Sequence, residues 1–217
     1  MRIKKQGLST RLPLTIEQLK QLKADDLVRL KLTEDEKLKL LEINKTRKEK
    51  RDQRSALWKI EQEPMLADLR QVGCSLNSVW DLVNTANKYT EAIPVLLKHL
   101  VRPYSDRIRE GIARSLAVRE ARYAWPLLVA EYRKAPMGVG EEGVKLGVKN
   151  GLACALAATA TDEVMGEMVM LAKDRSHGES RLLLLSALKK SKTDVAKRAL
   201  TMLASDPALA KEIASWK

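Results

Sequence analysis

Apolar positions recur at helical spacing along most of this chain. Ile16, Leu19, Leu22, Leu27 and Leu30 form a first approximate stripe, broken around Ala24-Asp25-Asp26. Apolar side chains three or four residues apart share one helix face, whereas a strand alternates every second residue. Leu38, Leu40, Leu41 and Ile43 begin a second stripe, after which Asn44 to Arg54 contains no apolar residue. Ala56, Leu57, Trp58 and Ile60 then resume the pattern before Pro64. Thr15-Ile16-Glu17-Gln18 and Thr33-Glu34-Asp35-Glu36 have the spacing of capping boxes, so two helices are expected to start there. The polar stretch has no Gly or Pro and is rich in good helix formers, which predicts an exposed helix that no core covers.

From residue 64 the pattern becomes repetitive. An irregular first pair is expected over 64–87, with one helix starting at Pro64 and ending at Gly73, and Ser75 capping the next. Beyond residue 91 a helix–turn–helix unit matches itself. Ile93-Pro94-Val95-Leu96-Leu97 falls on Trp125-Pro126-Leu127-Leu128-Val129, and Leu171-Ala172-Lys173-Asp174 on Leu203-Ala204-Ser205-Asp206, both 32 residues on. Arg109-Glu110-Gly111-Ile112-Ala113 matches Lys149-Asn150-Gly151-Leu152-Ala153 at 40, an offset that an insertion near Met137 to Gly143 explains. Arg181, Leu184, Leu185 and Leu188 continue the series. The predicted helices lie near 91–101, 105–118, 122–135, 142–158, 162–173, 178–190, 193–204 and 207–216. A repeated helical pair buries its apolar face only by stacking on its neighbours, so the expected fold is all-α, an α-solenoid. Residues 1–63 form an amino-terminal helical extension and residues 64–217 the repeats.

Ile108-Arg109-x-x-Ile112-Ala113-x-x-Leu116, preceded by a Pro-containing helix, resembles the HEAT-repeat family in its short bacterial form. The resemblance covers residues 91–217 well and 64–90 weakly. It implies a HEAT-like binding scaffold in which a second-helix basic residue and a turn Asp align adjacent repeats. Arg109, Lys149 and Arg181 match the basic position; Asp174 and Asp206 lie close to the acidic one. Arg102-Pro103 replaces the acid in the first clear pair, and Ile213 the basic residue in the last.

Charge adds a second candidate. The chain has 217 residues, 40 basic and 28 acidic, for a net +12. Residues 1–60 hold 17 basic and 9 acidic groups, so the amino-terminal quarter carries most of the excess. Lys45, Arg47, Lys48, Lys50, Arg51 and Arg54 could neutralise phosphates by counterion release, although Glu49 and Asp52 interrupt them and no aromatic interleaves for base stacking. Cys74 and Cys154 stand far apart, so neither a disulfide framework nor a thiol metal site is expected. Met1-Arg2-Ile3-Lys4-Lys5 is not followed by an apolar run, and no apolar run approaches the ~20 residues of a membrane span. A cytoplasmic protein with no membrane role is expected.

Sites of chemistry are sparse. His99, expected on a helix surface, and His177, in a turn, have no Cys or His at ligand spacing. Gly138-Val139-Gly140-Glu141-Glu142-Gly143 has the spacing of a dinucleotide loop, but a helix precedes it where that mechanism needs a strand. Trp80, Trp125 and Asp106 would be the residues for a HEAT-type DNA glycosylase, yet both tryptophans fit the apolar register. No catalytic residue, metal or cofactor is therefore assigned. The leading expectation is a non-enzymatic scaffold that binds a protein along the concave face of the second helices, with Arg107, Glu110, Arg114, Lys145 and Asn150 exposed there. The alternative is sequence-nonspecific nucleic-acid binding through residues 45–54.

Overall fold

A computed structural model describes residues 12–83, 85–137 and 147–216; within them all regular structure is helical and no strand occurs. Contacts divide the chain into two compact units, Met1–Leu57 and Trp58–Lys217.

The first unit contains α1 (Ile16–Gln21), α2 (Ala24–Arg29) and the start of α3 (Glu34–Gln71). Both expected capping boxes form. Thr15 Oγ1 accepts from the Gln18 amide at 3.2 Å while Gln18 Oε1 accepts from the Thr15 amide at 2.9 Å. Glu36 is buried and accepts from the amides of Thr33 and Leu14, both at 2.8 Å, so one carboxylate caps α3 and fixes the entry to α1. At the other end of α1, Arg47 donates to the Lys20 carbonyl at 2.7 Å.

The expected helix start at Pro64 does not occur: α3 runs through Pro64, which lies inside it, and the expected boundary at 63/64 falls within the helix. A proline in a helix interior costs about 3 kcal/mol. Met65, Leu66 and Leu69 are all buried within the next turn and a half, and each contributes roughly 1.5–3 kcal/mol, which outweighs that cost. The helix ends as expected at Gly73, whose φ of 82° suits glycine. Cys74 N donates to Leu69 O and Gly73 N to Arg70 O, the paired bonds of a Schellman motif. Ser78, not Ser75, caps the next element, which is a short 3₁₀ turn (Val79–Leu82) and not a full helix.

The rest of the second unit is α4 (Ile93–Leu100), α5 (Asp106–Ser115), α6 (Trp125–Lys134), α7 (Val148–Thr159), α8 (Met165–Lys173), α9 (Arg181–Lys190), α10 (Asp194–Leu203) and α11 (Pro207–Ala214). Pro94, Pro126 and Pro207 sit in first turns, where the missing amide is unneeded. Helices pack in consecutive pairs, α4 on α5, α6 on α7, α8 on α9 and α10 on α11. The second members also pack in series, α5 on α7, α7 on α9 and α9 on α11. One buried cluster of Leu, Ile, Val, Ala and Met runs from Met65 to Ile213. No helix among the described residues is long and apolar enough to cross a membrane.

Candidate interaction face

Three repeat-equivalent basic residues do the same job at three joints. Arg109 on α5 donates Nε to the Leu100 carbonyl at 3.3 Å, and Nη2 to Glu131 of α6 at 3.0 Å. Lys149 on α7 donates to the carbonyls of Tyr132 and Ala135, at 3.1 and 2.8 Å, where α6 ends. Arg181 on α9 donates to Ala172 O near the end of α8 at 3.2 Å and to Asp206 at 2.9 Å. Each cation satisfies orphan carbonyls at the C-terminus of its partner helix, where the dipole favours positive charge. Hydrogen bonds from the Ser176 side chain and amide, with smaller help from the charges of His177 and Lys149, hold the Asp174 carboxyl below the ordinary range against the opposing effect of burial. Asp106 is likewise structural: its Oδ1 accepts from Val148 N at 3.1 Å, capping α7.

Beside these joints the second helices carry the expected binding residues. Arg107 is exposed and stacks its guanidinium 3.6 Å from the centre of the half-buried Trp80 ring. Arg114 is half-buried, with Nε 2.8 Å from Glu110 Oε1 and Nη1 3.7 Å from Cys154 Sγ. Glu110 corrects the expectation of an exposed contact residue, because it is only 3% exposed and ion-paired to Arg114 and Arg107. The cause is Gly151. A Cβ there would meet Glu110 O at 2.9 Å and Ala113 Cβ at 3.0 Å, so only glycine lets α7 close over this part of α5. Asn150 is half-buried and engaged, and Lys145 and the Gly138–Gly143 stretch lie outside the described residues.

The same repeat position explains a cleft that sequence reading missed. Gly111 faces Val79 and Trp80 as closely as Gly151 faces α5, with Cβ distances of 2.7 and 2.8 Å. The third member of this series, 32 residues beyond Gly151, is Leu183. Its bulk keeps α9 from closing on α7 as α7 closes on α5. What remains is a cleft of about 490 Å³ between α7, α9 and α11. Ala157, Ala158, Leu182 and Leu183 supply apolar lining, and Trp216 and Lys189 stand together, the ammonium 4.5 Å from the indole centre. Cys154 and Ser186 occupy the positions equivalent to Arg114. Burial pushes the Cys154 thiol above its ordinary range, so it stays protonated at neutral pH. Glu212 also lines the cleft and accepts from Trp216 Nε1 at 3.1 Å. A clue was present in sequence: Leu182 to Leu185 are four consecutive leucines, and a helix cannot turn four neighbours inward. Leu184 and Leu185 are buried; Leu182 and Leu183 are half-exposed.

His99 also corrects an expectation. It is fully buried, its Nε2 2.9 Å from Asp68 on α3 and its Nδ1 2.7 Å from the Tyr104 hydroxyl. Lys98 joins the same carboxylate, and these hydrogen bonds lower the Asp68 carboxyl to about 2. His177 is buried against the Tyr132 ring, with centroids 4.6 Å apart. Among the described residues, no group of three or more His, Cys, Asp or Glu is arranged to hold a metal.

The basic stretch on α3 is less uniform than its sequence. Arg47 is held by the Lys20 carbonyl and Lys48 pairs with Asp52 at 3.1 Å, while Arg54 is half-buried and engaged. Lys45, Lys50 and Arg51 are exposed. At 3.6 residues per turn, Lys45, Lys48, Lys50 and Arg51 spread over more than half of the helix circumference instead of forming one stripe.

The chain matches no protein-family model, and no curated protein or solved structure is significantly similar to it.

Proposed function

We propose that residues 58–217 form an α-solenoid of short HEAT-like helical pairs and that the chain is a non-enzymatic scaffold binding a protein partner along its second helices. The observation that carries this reading is the serial packing of α5, α7, α9 and α11. On that series Arg107, Arg114, Leu182, Leu183 and Lys189 all lie outside the fully buried core. Stacked second helices offer one ligand a surface built from several repeats, which is how solenoids bind. The test is selection from a displayed peptide library against the wild-type chain and an R107Q/K189E variant, which keeps Arg114 on the buried Glu110 and is checked by thermal melting to be folded. Peptides that bind the wild type and lose the variant support the reading; no selected peptide, or equal binding to both, contradicts it.

The exposed Lys45, Lys50 and Arg51 support a second reading, sequence-nonspecific nucleic-acid binding through α3. It predicts oligonucleotide affinity that falls steeply with salt and disappears in K50E/R51E.

A further inference from the structure

We infer that the cleft between α7, α9 and α11 receives an acidic amphipathic segment of a partner protein, its apolar side chains on the leucine floor and its carboxylates on the surrounding cations. This rests on the scaffold reading above and adds the chemistry of the ligand.

Three features carry it. The first is unsatisfied apolar surface in a concave place. Leu182 and Leu183 pack only partly against the core and line the cleft together with Ala157 and Ala158 of α7. An apolar floor in a cleft gains by removing a ligand's apolar side chains from water, and about 490 Å³ admits several such side chains.

The second is the sign of the surrounding charge. A smaller hollow of about 210 Å³ shares Ala157, Ala158 and Lys190 with the main cleft and adds Arg119 and Arg122. Four cations, Lys189, Lys190, Arg119 and Arg122, thus border the joined surface. Two carboxylates, Glu212 and Asp162, also line it, and Arg122 acts on Glu163 nearby, so the lining keeps a net positive sign of four cations against two acids. Arg119 and Lys190 both line the smaller hollow, and Lys190 is exposed. Cations at the edge of an apolar floor select a ligand with carboxylates flanking its apolar anchors.

The third is placement. Trp216 is half-buried beside Lys189, so an aromatic plane and an ammonium stand together at the α11 side. Tryptophan and a cation at the edge of an apolar cleft are the residue types that concentrate binding energy at interfaces.

The test uses the full chain and a fluorescein-labelled synthetic helical peptide with leucines at i, i+3, i+4 and i+7 and glutamates elsewhere. Controls are the same composition scrambled and the same peptide with lysine for every glutamate. The acidic amphipathic peptide should bind, and both controls should bind about tenfold or more weakly, the equivalent of one lost buried leucine. K189E/K190E should weaken it by a similar factor with a melting curve close to wild type, and L182S/L183S, which also loses core packing, should do so at a temperature where circular dichroism shows it folded. The exposed K50E/R51E pair on α3 should leave it unchanged. The inference is overturned by no binding, by equal binding of the lysine peptide, by K189E/K190E and L182S/L183S both binding as wild type, or by displacement with a single-stranded oligonucleotide as readily as with unlabelled peptide. If this peptide fails while library peptides of other chemistry are selected and lost in the folded R107Q/K189E variant, the cleft chemistry is wrong and the scaffold reading stands.

Discussion

Arg181 Nη1 lies 2.9 Å from Asp206 Oδ2, and Asp206 is the residue that caps α11 through the Ala208 amide at 3.0 Å. One ion pair therefore ties the second helix of one pair to the helix turn of the next. Lys149 and Asp174, each 32 residues earlier, stand in the same relation through charge alone. Arg181→Met should destabilise the chain by roughly 1–3 kcal/mol, because the Ala172 and Gly178 carbonyls lose their donor. Asp206→Asn should cost less, since an amide oxygen still caps Ala208 and still accepts from Arg181. Urea melts of the two variants check the order.

Glycines separate into those that permit close approach and those that do not. Gly151→Ala places Cβ against the Glu110 backbone, which cannot yield as a flexible side chain can, and should destabilise by about 1–3 kcal/mol. Gly166 in α8 has nothing within 4 Å of the corresponding Cβ. Gly166→Ala should therefore stabilise by roughly 0.4–1 kcal/mol, through lower entropy of the unfolded chain. Thermal unfolding that ranks these variants the other way would contradict the packing of α7 on α5.

Acid should weaken the fold in two stages. Burial lowers the His177 pKa below 6.5; Lys149, Arg133 and Arg181 act in the same direction, and Asp174 opposes them. Folded His177 then stays neutral where the unfolded chain is protonated, so its contribution is present above about 6.5 and is lost as pH falls through the folded value. Asp68, Asp174 and Asp206 have lowered values, with Asp68 near 2. Their stabilisation is present above their ordinary 3.8 and is lost as pH falls through the folded values, for Asp68 near 2. His177→Phe should remove the first stage and leave the second, as read from urea midpoints across pH.

Tyr132 donates to or accepts from Ser180 at 2.7 Å deep in the core, and burial raises its phenol to about 12. Ser180 Oγ also lies 2.7 Å from the His177 carbonyl. Tyr132→Phe should cost about 1 kcal/mol, the usual worth of one such bond when its partner keeps a second. A loss several times larger would contradict the assignment of a single hydrogen bond to the Tyr132 hydroxyl.

What the sequence made legible was whatever repeats. The Arg109, Lys149 and Arg181 series pointed to helix joints, and the Thr15 and Thr33 capping boxes to helix starts that form. Residues whose role depends on a neighbour were not legible. Glu110 reads as surface until Gly151 lets α7 cover it, and His99 reads as surface until Asp68 on α3 reaches it. Pro64 reads as a helix start because local propensity is all the sequence displays, whereas buried Met65 and Leu69 decide the outcome. Polarity singles out Glu110 and Asn150 as contact residues and hides Leu182, the next member of the same repeat position.

The most direct test of the account is an amide chemical-shift map of the isotopically labelled full chain titrated with the acidic amphipathic peptide. Shifts should concentrate on Cys154, Leu182, Leu183, Ser186, Lys189 and Trp216. Shifts confined to residues 45–54, or absent throughout at saturating peptide, would contradict it.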